Sequence, residues 1–304
     1  MALNIVITGG AGFIGSEAVR QLYDLGHNIY NIDKLTYAAC PESIADLSTD
    51  RYTFYNADIT DKRTIKEILD VSKPDYIINF AAESHVDRSI DSSNEFIETN
   101  IIGTHILLEE ALRYWEKFKK SKNNFKFLHI STDEVYGSLD FDDSAFTEDS
   151  PYRSNSPYSS SKASSDLIVR AWNKTFGLPA IITHSSNNYG PWQFPEKLIP
   201  KCIKSALSDE PIEIYGDGLN IRDWIHVSDN VEAILKILFD GENGEIYNIG
   251  SNNELTNLDL INKICSILEL IKPSPKKNYS ELICFVKDRP GHDLRYAVDT
   301  SKLR

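Results

Sequence analysis

The feature that most restricts the fold of this chain is a glycine-rich loop between a short apolar run and an amphipathic pattern. Residues 3–8 read LNIVIT, which predicts a buried β-strand, and residues 9–15 read GGAGFIG. A helical pattern then continues to residue 25, and Gly26 ends it. In this order the glycines let backbone N–H groups at a helix N-terminus approach a pyrophosphate, so the segment predicts a dinucleotide-binding βα unit. The alternative is a tight turn without a ligand.

The remaining periodicity predicts alternating strands and helices. Further strands are predicted at residues 28–32, 52–56, 76–80, 125–130, 180–184, 211–215 and 221–225. Helices are predicted at residues 95–118, 157–175, 198–207, 226–238 and 256–271. This alternation predicts an α/β fold: a Rossmann-type doubly wound parallel sheet with a smaller C-terminal α/β substrate-binding lobe.

An acidic residue ends the second predicted strand, about 20 residues beyond the glycine loop. The carboxylate of Asp33 can accept hydrogen bonds from an adenosine ribose and repels a 2′-phosphate, so NAD is favoured over NADP. Lys34 beside it weakens that preference slightly. Residues 58–59 follow the third strand where an adenine would bind, and the small residues 81–82 let a flat cofactor pack against backbone. We interpret His85 as a hydrogen-bonded loop histidine rather than a catalytic one.

These features define two predicted regions. Residues 1–185 are expected to form an NAD-binding Rossmann domain. Residues 186–304 are expected to form mainly the substrate-binding lobe, with some strands and helices returning to the first domain.

Two carboxylates, Asp133 and Glu134, stand side by side after the fifth predicted strand, at the sheet edge where ligands bind in α/β folds. Such a pair can divide proton removal and proton delivery, because small differences in burial or neighbouring charge separate their pKa values. The alternative is a capping box from Ser131 to Glu134 that only starts a helix. No helix-length pattern follows, because Gly137 interrupts it, so we favour the catalytic interpretation. The polar segment 138–156 is expected to be a mobile cover rather than core.

Tyr158 and Lys162 are four residues apart on a predicted helix and therefore share one face. A phenol has an ordinary pKa of about 10, which a neighbouring ammonium and an oxidised nicotinamide would both lower. Tyr158 would then be a workable base for a sugar hydroxyl. The Tyr-x-x-x-Lys spacing alone is common on exposed helices, but its position after the acid pair and the glycine loop favours a catalytic role.

Composition excludes several other classes. The formal charge of −13 over 304 residues argues against a nucleic-acid partner, because no basic stripe is present to bind phosphates. The strand pattern begins two residues after Met1, and no apolar stretch reaches membrane-spanning length, so we expect a cytoplasmic protein without a membrane partner. The cysteines lack metal-ligand or disulfide spacing, which predicts no metal site and reduced, mostly buried thiols at Cys40, Cys202, Cys265 and Cys284.

Taken together, the glycine loop, Asp33, the acid pair and the Tyr158–Lys162 pair resemble the extended short-chain dehydrogenase/reductase superfamily and, more narrowly, its nucleotide-sugar 4,6-dehydratases. The resemblance extends through residues 33–38, 81–89, 131–137, 186–191, 194–200 and 288–293. The acid pair is its most specific element, because related epimerases have no such pair after this strand.

The resemblance implies site residues throughout the chain. The catalytic set would be Thr132, Asp133, Glu134, Tyr158 and Lys162. The cofactor, NAD, would be held by Gly9, Gly12, Phe13, Ile14, Gly15, Asp33, Lys34, Leu35, Thr36, Asp58, Ile59, Phe80, Ala81, Ala82, Ser84, Thr99, Tyr158, Lys162 and Asn188. A nucleotide-sugar substrate, dTDP-glucose or UDP-glucose, would contact Ser84, Thr132, Asn187, Glu196, Lys197, Leu198, Tyr215, Arg222, Asn257, Arg289 and His292.

Three cations of that last set are assigned to the substrate pyrophosphate: Lys197, Arg222 and Arg289. The two arginines suit this role because a planar guanidinium can bind two phosphate oxygens. The alternative for each cation is an ordinary surface charge. The family also implies a homodimer that pairs through the helices at residues 95–118 and 158–175.

The implied reaction transiently oxidises the sugar. Tyr158 would remove the C4 hydroxyl proton as hydride passes from C4 to NAD⁺, and the resulting ketone would acidify the C5 proton. Glu134 would remove that proton while Asp133 protonates the departing C6 hydroxyl, and hydride would return to C6. Thr132 would hold the C4 oxygen, and Lys162 would anchor the nicotinamide ribose. The alternatives are a 4-epimerase or decarboxylase of the same superfamily and, more remotely, a non-catalytic NAD-binding sensor or scaffold.

Overall fold

The structure is a computed structural model that describes residues 2–118 and 124–304. Met1, which precedes the first predicted strand, and residues 119–123, which follow the helix predicted at 95–118, lie outside the described residues. The described strands are β1 Asn4–Thr8, β2 Asn28–Asp33, β3 Tyr52–Asn56, β4 Tyr76–Asn79, β5 Lys126–Thr132, β6 Ala180–Ser185, β7 Asn187–Tyr189, β8 Ile212–Tyr215, β9 Ile221–His226, β10 Ile246–Ile249, β11 Glu254–Thr256 and β12 Ile283–Val286. The described α-helices are α1 Phe13–Asp24, α2 Lys62–Ser72, α3 Val86–Asp91, α4 Asn94–Phe96, α5 Thr104–Phe118, α6 Pro157–Phe176, α7 Leu198–Leu207, α8 Val227–Asp240 and α9 Asn257–Ile271.

Seven strands form a parallel sheet in the order β10-β6-β5-β4-β1-β2-β3. Its strands are near-continuous apolar runs because helices cover both faces, and every residue of β4 and β6 is buried. The strand order reverses between β1 and β4, which opens a crevice at the carboxyl ends of these strands. The predicted doubly wound Rossmann-type fold is confirmed.

Alternation along β1 divides the core between the two faces. Ile5 and Ile7 pack with α1 and α8 on one face, whereas Val6 packs with α2 and α5 on the other. Residues that follow position 185 therefore also form part of the large sheet and its helical layers, since β10 is an edge strand and α8 packs on α1.

A smaller lobe lies over the carboxyl ends of the large sheet. It contains the three-stranded sheet β11-β9-β7 and the parallel pair β12-β8, with α7 packed against α9. The core of this lobe includes Ile212, Ile214, Ile261 and Leu282. Its sheets were only partly predicted, because β7, β11 and β12 contain three or four residues each.

The helix predicted at residues 95–118 is present without a break, but it is not α-helical throughout. The structure has the short α4, then a π-helical segment at Ile97–Gly103, and then α5. The wider turns accommodate a buried contact that no local pattern encodes, since the side-chain amide of Asn100 donates to the Glu83 carbonyl at 3.0 Å and to Ser161 Oγ at 2.8 Å. Segments of this type are frequent at functional sites.

The segment 138–156, predicted to be a mobile cover, is anchored at two points by backbone hydrogen bonds. The backbone N–H of Leu139 donates to the Arg295 carbonyl at 3.0 Å, and that of Phe146 donates to the Ala297 carbonyl at 2.9 Å. Leu139 is buried. The segment is therefore tied to the C-terminal part of the chain, a long-range contact that its polar composition conceals.

The four cysteines are free thiols. Cys202 and Cys265 are buried between α7 and α9, whereas Cys40 and Cys284 are half-buried. The prediction of mostly buried thiols therefore holds for two of the four.

Candidate active site

The glycine loop, the acid pair and the Tyr158–Lys162 pair line one cavity at the carboxyl ends of the large sheet. All five predicted catalytic residues border it. The acids lie beside a loop more than a hundred positions away in sequence because only β4 separates β5 from β1. The predicted chemistry requires Asp133 and Glu134 to line this cavity, and both residues do.

The acid pair occupies a single 3₁₀ turn, Asp133–Tyr136, at the end of β5. Thr132 caps this turn, because its Oγ1 accepts a hydrogen bond from the Glu134 N–H at 3.3 Å. The alternative capping box from Ser131 is therefore wrong: Ser131 Oγ instead donates to Asp166 at 2.9 Å. A turn of four residues ends in Gly137, whose φ of +90° stops further helix.

Burial raises the pKa of both carboxyl groups, but unequally. Asp133 is 2% exposed, and burial followed by the charge of Glu134 raises its pKa well above the ordinary value. Burial also raises the pKa of Glu134, yet the cations Arg289, Arg222 and Lys197 oppose that rise. Asp133 therefore holds a proton more firmly than Glu134 does. The pair contains one group suited to giving a proton and one suited to taking it.

Tyr158 stands in the first turn of α6, directly above the acid pair. Ser156 and Ser159 form a capping box and Pro157 occupies the first turn, so the sequence fixes where this helix begins. Burial and the charge of Glu134 raise the pKa of Tyr158, whereas a hydrogen bond with Thr132 lowers it. The net shift of the Tyr158 pKa is therefore upward, and its lowering by an oxidised nicotinamide stays a prediction.

The head group of Lys162 is buried against β5. Lys162 is 3% exposed, and its Nζ donates to the Ile130 carbonyl at 2.8 Å. Burial lowers the pKa of Lys162 to about 8.

The glycine loop brings backbone against backbone. A Cβ on Gly9, whose φ is +73°, would lie 2.6 Å from the Ala81 nitrogen, and one on Gly15 would lie 2.2 Å from the Gly9 carbonyl oxygen. Asp33 Oδ2 accepts the Ala11 N–H at 2.9 Å, which fixes its carboxylate at the end of β2. Every predicted cofactor residue lines this cavity except Leu35, which points outward with a φ of +56°.

A second cavity adjoins the first, and Ser84, Glu134 and Lys197 border both. It lies between the large sheet and the smaller lobe. Every predicted substrate residue lines it apart from Thr132, which lines the first cavity.

The three cations assigned to the substrate pyrophosphate differ in their present partners. Lys197 Nζ donates to the Ser84 carbonyl at 2.9 Å, and Arg289 pairs with Asp87 at 3.5 Å while its buried Nε has no partner. Arg222 is 5% exposed, and its guanidinium donates to backbone carbonyls, including that of Asp293 at 2.8 Å. Arg289 and Lys197 therefore have more capacity left for a ligand than Arg222.

Comparison with known proteins agrees with this geometry. Residues 6–304 match the family model described as GDP-mannose 4,6 dehydratase. The dTDP-glucose 4,6-dehydratase of Neisseria gonorrhoeae is 51% identical over 99% of this chain and 89% of its own length. That of Salmonella typhimurium is 51% identical over 99% of this chain and 86% of its own length. The crystal structure of the Streptomyces venezuelae dTDP-glucose 4,6-dehydratase, with NAD bound, superposes with a TM-score of 0.89, at 42% identity, over 98% of this chain and 89% of that one.

The chain belongs to the dTDP-glucose 4,6-dehydratase family. A UDP-glucose 4-epimerase from Thermus thermophilus, solved with NAD, shares the fold with a TM-score of 0.85 but only 26% identity, over 98% of this chain and 91% of that one. The dehydratase assignment therefore rests on sequence as well as on fold.

The residues of this dehydratase fit the NAD that its solved relatives contain. The N-terminus of α1 has neither a side-chain cap nor an acidic residue in its first turn, so its N–H groups are available to an anion. Besides Asp133 Oδ2, four buried polar atoms of residues that line the same cavity have no hydrogen-bond partner among the described residues and are suited to the polar parts of a ligand: Ser185 Oγ, Ser186 Oγ, Asn188 Oδ1 and Gln193 Oε1.

Three lining residues of the dehydratase were given no predicted role. Tyr296 is buried, lines the second cavity and stacks beneath the guanidinium of Arg222, whose carbon lies 4.2 Å from the ring centre. Asp87 accepts a hydrogen bond from Tyr215 at 3.3 Å, and Gln193 borders both cavities. Asp87 lies within a segment that carries the family resemblance, which is a usable signal. Nothing local distinguishes Tyr296 or Gln193.

His85 has the structural role that was expected, because its Nδ1 accepts the Arg88 N–H at 3.3 Å at the start of α3. Within residues 2–118 and 124–304, no helix is long and apolar enough to cross a membrane. The same residues contain no group of three or more histidine, cysteine or acidic side chains arranged to hold a metal ion.

Proposed function

We propose that this chain is an NAD-dependent hydro-lyase that converts dTDP-glucose, or UDP-glucose, to the 4-keto-6-deoxy-glucose nucleotide. One observation carries the proposal: Asp133 and Glu134 line the same cavity as Tyr158 and the glycine loop. A reaction limited to oxidation at C4 needs the tyrosine but has no use for two further acids in the same cavity. Loss of water needs both a base and an acid.

The first half of the reaction uses Tyr158, Thr132 and Lys162. When bound, NAD⁺ supplies a positive charge and a hydride acceptor and later returns the hydride, so the cofactor ends as it began. Tyr158 takes the proton of the sugar C4 hydroxyl, and Thr132 holds the C4 oxygen. The ammonium of Lys162 stabilises the phenolate form of Tyr158. Because burial raises the pKa of Tyr158, the phenolate depends on these positive charges.

The second half of the reaction uses the acid pair. The C4 ketone acidifies the C5 proton, and Glu134 removes it while Asp133 protonates the departing C6 hydroxyl, which leaves as water. Hydride then returns to C6 and a proton to C5, which gives the 4-keto-6-deoxy product. This division follows the unequal pKa shifts, since Arg289, Arg222 and Lys197 favour the ionised form of Glu134. General acid and base catalysis of this kind contributes roughly 10² to 10⁴ in rate.

The second cavity is the proposed site of the nucleotide. Lys197 and Arg289 are the proposed partners of its diphosphate, and Arg222 supports them from the buried side. Thymine and uracil differ by one methyl group, worth about 1 to 3 kcal/mol in a pocket.

We further propose a cytoplasmic homodimer. The free thiols of all four cysteines are typical of a reducing compartment. Ile97, Ile102 and Leu167 leave large apolar side chains exposed on the π-helical segment and α6, the elements of the expected dimer contact.

The direct test is to incubate the purified protein and NAD⁺ with dTDP-glucose and, separately, UDP-glucose. Alkali-induced absorbance of the 4-keto sugar measures product formation. We expect product from at least one nucleotide, with no net consumption of NAD⁺. Release of a C4 epimer without a 4-keto sugar would instead assign the chain to the epimerases, and no turnover of either nucleotide would contradict the proposal.

A further inference from the structure

A buried chain of polar side chains crosses the large sheet beneath the active site. Thr8, at the end of β1, donates from Oγ1 to Asn79 Oδ1 on β4 at 2.6 Å. The amide of Asn79 lies 3.1 Å from Nδ1 of His129 on β5 and can only donate to it. A neutral His129 therefore carries its hydrogen on Nε2, which lies 3.4 Å from Oδ1 of Asp166. These four residues are at most 1% exposed.

This series of polar side chains continues from Asp166 to β10, at the edge of the sheet. Asp166 Oδ2 accepts hydrogen bonds from Ser131 Oγ at 2.9 Å and from His184 Nε2, on β6, at 3.0 Å. The Tyr136 hydroxyl, in the acid-pair turn, lies 2.7 Å from His184 Nδ1 and 2.9 Å from Oδ1 of Asn248 on β10. Side chains of five parallel strands are thus linked to one buried carboxylate, directly from β5 and β6 and through other side chains from β1, β4 and β10.

Asp166 also belongs to the catalytic face of α6. Tyr158, Lys162 and Asp166 follow one another at intervals of four residues, so their side chains share one face. The charged heads of Lys162 and Asp166 contact successive residues of β5, since Lys162 Nζ donates to the Ile130 carbonyl and Asp166 accepts from Ser131. The charge of Asp166 favours the ammonium form of Lys162.

A buried ammonium needs a counter-ion, because burial alone favours its neutral form. The titratable groups around Lys162 come from α6, from β5 with its following turn, and from β6: they are Tyr158, Asp166, His129, Asp133, Glu134 and His184. Burial raises the pKa of Asp133 and of Glu134, which makes both poor permanent anions. Burial would raise the pKa of Asp166 as well, but the imidazoles of His129 and His184, which lie 3.4 and 3.0 Å from its oxygens, outweigh burial and hold that pKa well below its usual range.

We propose that Asp166 is a positioning residue of this dehydratase: it is the fixed counter-ion that keeps Lys162 in its ammonium form beside Tyr158. The polar chain keeps this carboxylate ionised and oriented. The catalytic consequence rests on the proposed function, whereas the charge state of Lys162 is measurable without substrate.

The test is to titrate Lys162 in the folded protein by NMR with lysine labelled at Cε, its signal assigned by its loss in Lys162→Met. Asp166→Asn keeps the shape of the side chain and removes its charge. Glu110→Gln is the matched control, because Glu110 is a 3% exposed carboxylate on α5 that pairs with Arg113 at 2.6 Å. We expect the Lys162 midpoint to fall by about one pH unit or more in Asp166→Asn and to stay in place in Glu110→Gln. An unchanged midpoint in Asp166→Asn would overturn the proposal.

The pH profile of kcat/KM supplies the catalytic readout. In Asp166→Asn the basic limb should move to lower pH by the same interval, whereas Glu110→Gln should retain the wild-type profile. If wild-type protein turns over neither nucleotide, the proposed function fails, and the NMR titration still decides the role of Asp166. An active Asp166→Asn variant with a wild-type basic limb would exclude a positioning role.

A folding defect in Asp166→Asn is separated from this role by the double variant Lys162→Met/Asp166→Asn. If Asp166 is the counter-ion of the Lys162 ammonium, the double variant should be more stable to urea than Asp166→Asn, because it no longer contains a buried lysine without its counter-ion. If the double variant is no more stable than Asp166→Asn while Lys162→Met folds normally, Asp166 stabilises the fold independently of Lys162, and the proposal is overturned.

Discussion

At the scale of single residues, Asp133 and Glu134 differ less in chemical type than in surroundings. Both follow β5 in one turn, yet Glu134 borders the second cavity with its cations, whereas Asp133 is buried and its Oδ2 has no hydrogen-bond partner among the described residues. Their order in the sequence gave no indication of which would be acid and which base. The cations that separate them come from residues 197, 222 and 289, which only the folded lobe brings close.

Glu134→Gln should lower product formation by at least about 100-fold, because an amide of the same shape cannot accept the C5 proton. The absorbance of the 4-keto sugar measures this loss. Nucleotide-sugar affinity, measured by calorimetry, should stay within a few-fold of wild type. A variant that forms product at the full rate would show that Glu134 is not the base.

Side-chain types at the site were predictable from sequence, whereas their electrostatics were not. Tyr158 and Lys162 were identified from their spacing, but the pKa of Tyr158 is raised because burial and Glu134 act together on it. Tyr296 was missed because its contact with Arg222 depends on long-range packing. Burial and long-range charge are properties of the fold, so no local pattern contains them.

At the scale of elements, the glycine loop was predictable because its strand, loop and helix are contiguous. Gly9 and Gly26 both have a positive φ, of +73° and +89°, but only Gly9 is crowded. They form a matched pair for separating backbone strain from close approach.

Gly26→Ala should cost about 1 to 2 kcal/mol of stability, the usual penalty of a left-handed conformation. Gly9→Ala should cost more and should also weaken NAD binding, because its Cβ would lie 2.6 Å from the Ala81 nitrogen in the cavity wall. Urea unfolding and calorimetric titration with NAD⁺ measure the two effects. Equal stability and equal NAD affinity in the two variants would refute the close-approach argument.

Elements that depend on distant partners were predicted poorly. The π-helical segment at Ile97–Gly103 and the anchored segment 138–156 are shaped by Asn100 and Leu139, whose partners lie elsewhere in the chain. The helix α6 was predicted well, because Ser156, Pro157 and Ser159 mark its start locally. Local signals fix where an element begins, and tertiary contacts decide whether it continues.

At the scale of the whole molecule, the fold class was predictable because alternating strands and helices admit few arrangements. The way in which the large sheet and the smaller lobe together line two adjoining cavities was not predictable from periodicity, because the lobe contributes residues from short strands and loops. The family resemblance supplied those residues, and the structure brings nearly all of them to the cavity walls.

Global stability should fall as the pH drops from about 6.5 to about 4. Burial lowers the pKa of His129 to about 4, whereas the unfolded chain binds that proton near the ordinary value of 6.5. The unfolded state therefore binds more protons in this window, and stability is lost as pH falls. His129→Gln should show a flatter dependence of the unfolding free energy on pH, by about one proton. The unfolding free energy is measured by urea unfolding at several pH values. An identical dependence of that free energy on pH in wild type and His129→Gln would contradict this assignment.

The proposed dimer should depend on the exposed apolar residues of the π-helical segment and α6. Ile102→Glu combined with Leu167→Glu should give a monomer in sedimentation velocity, because two buried charges would face an apolar contact. Leu270→Glu is the control, since Leu270 is 84% exposed on α9 and lies outside the proposed contact. A dimer that persists in the first variant, or is lost in the second, would contradict this interface.

The most direct test of the central claim is the reaction in deuterium oxide with dTDP-glucose and a catalytic amount of NAD⁺. If the acid pair removes water after transient oxidation at C4, the product should be the 4-keto-6-deoxy sugar nucleotide with solvent deuterium at C5, and NAD⁺ should be recovered. Product without deuterium at C5, or consumption of NAD⁺ in proportion to the sugar, would contradict it.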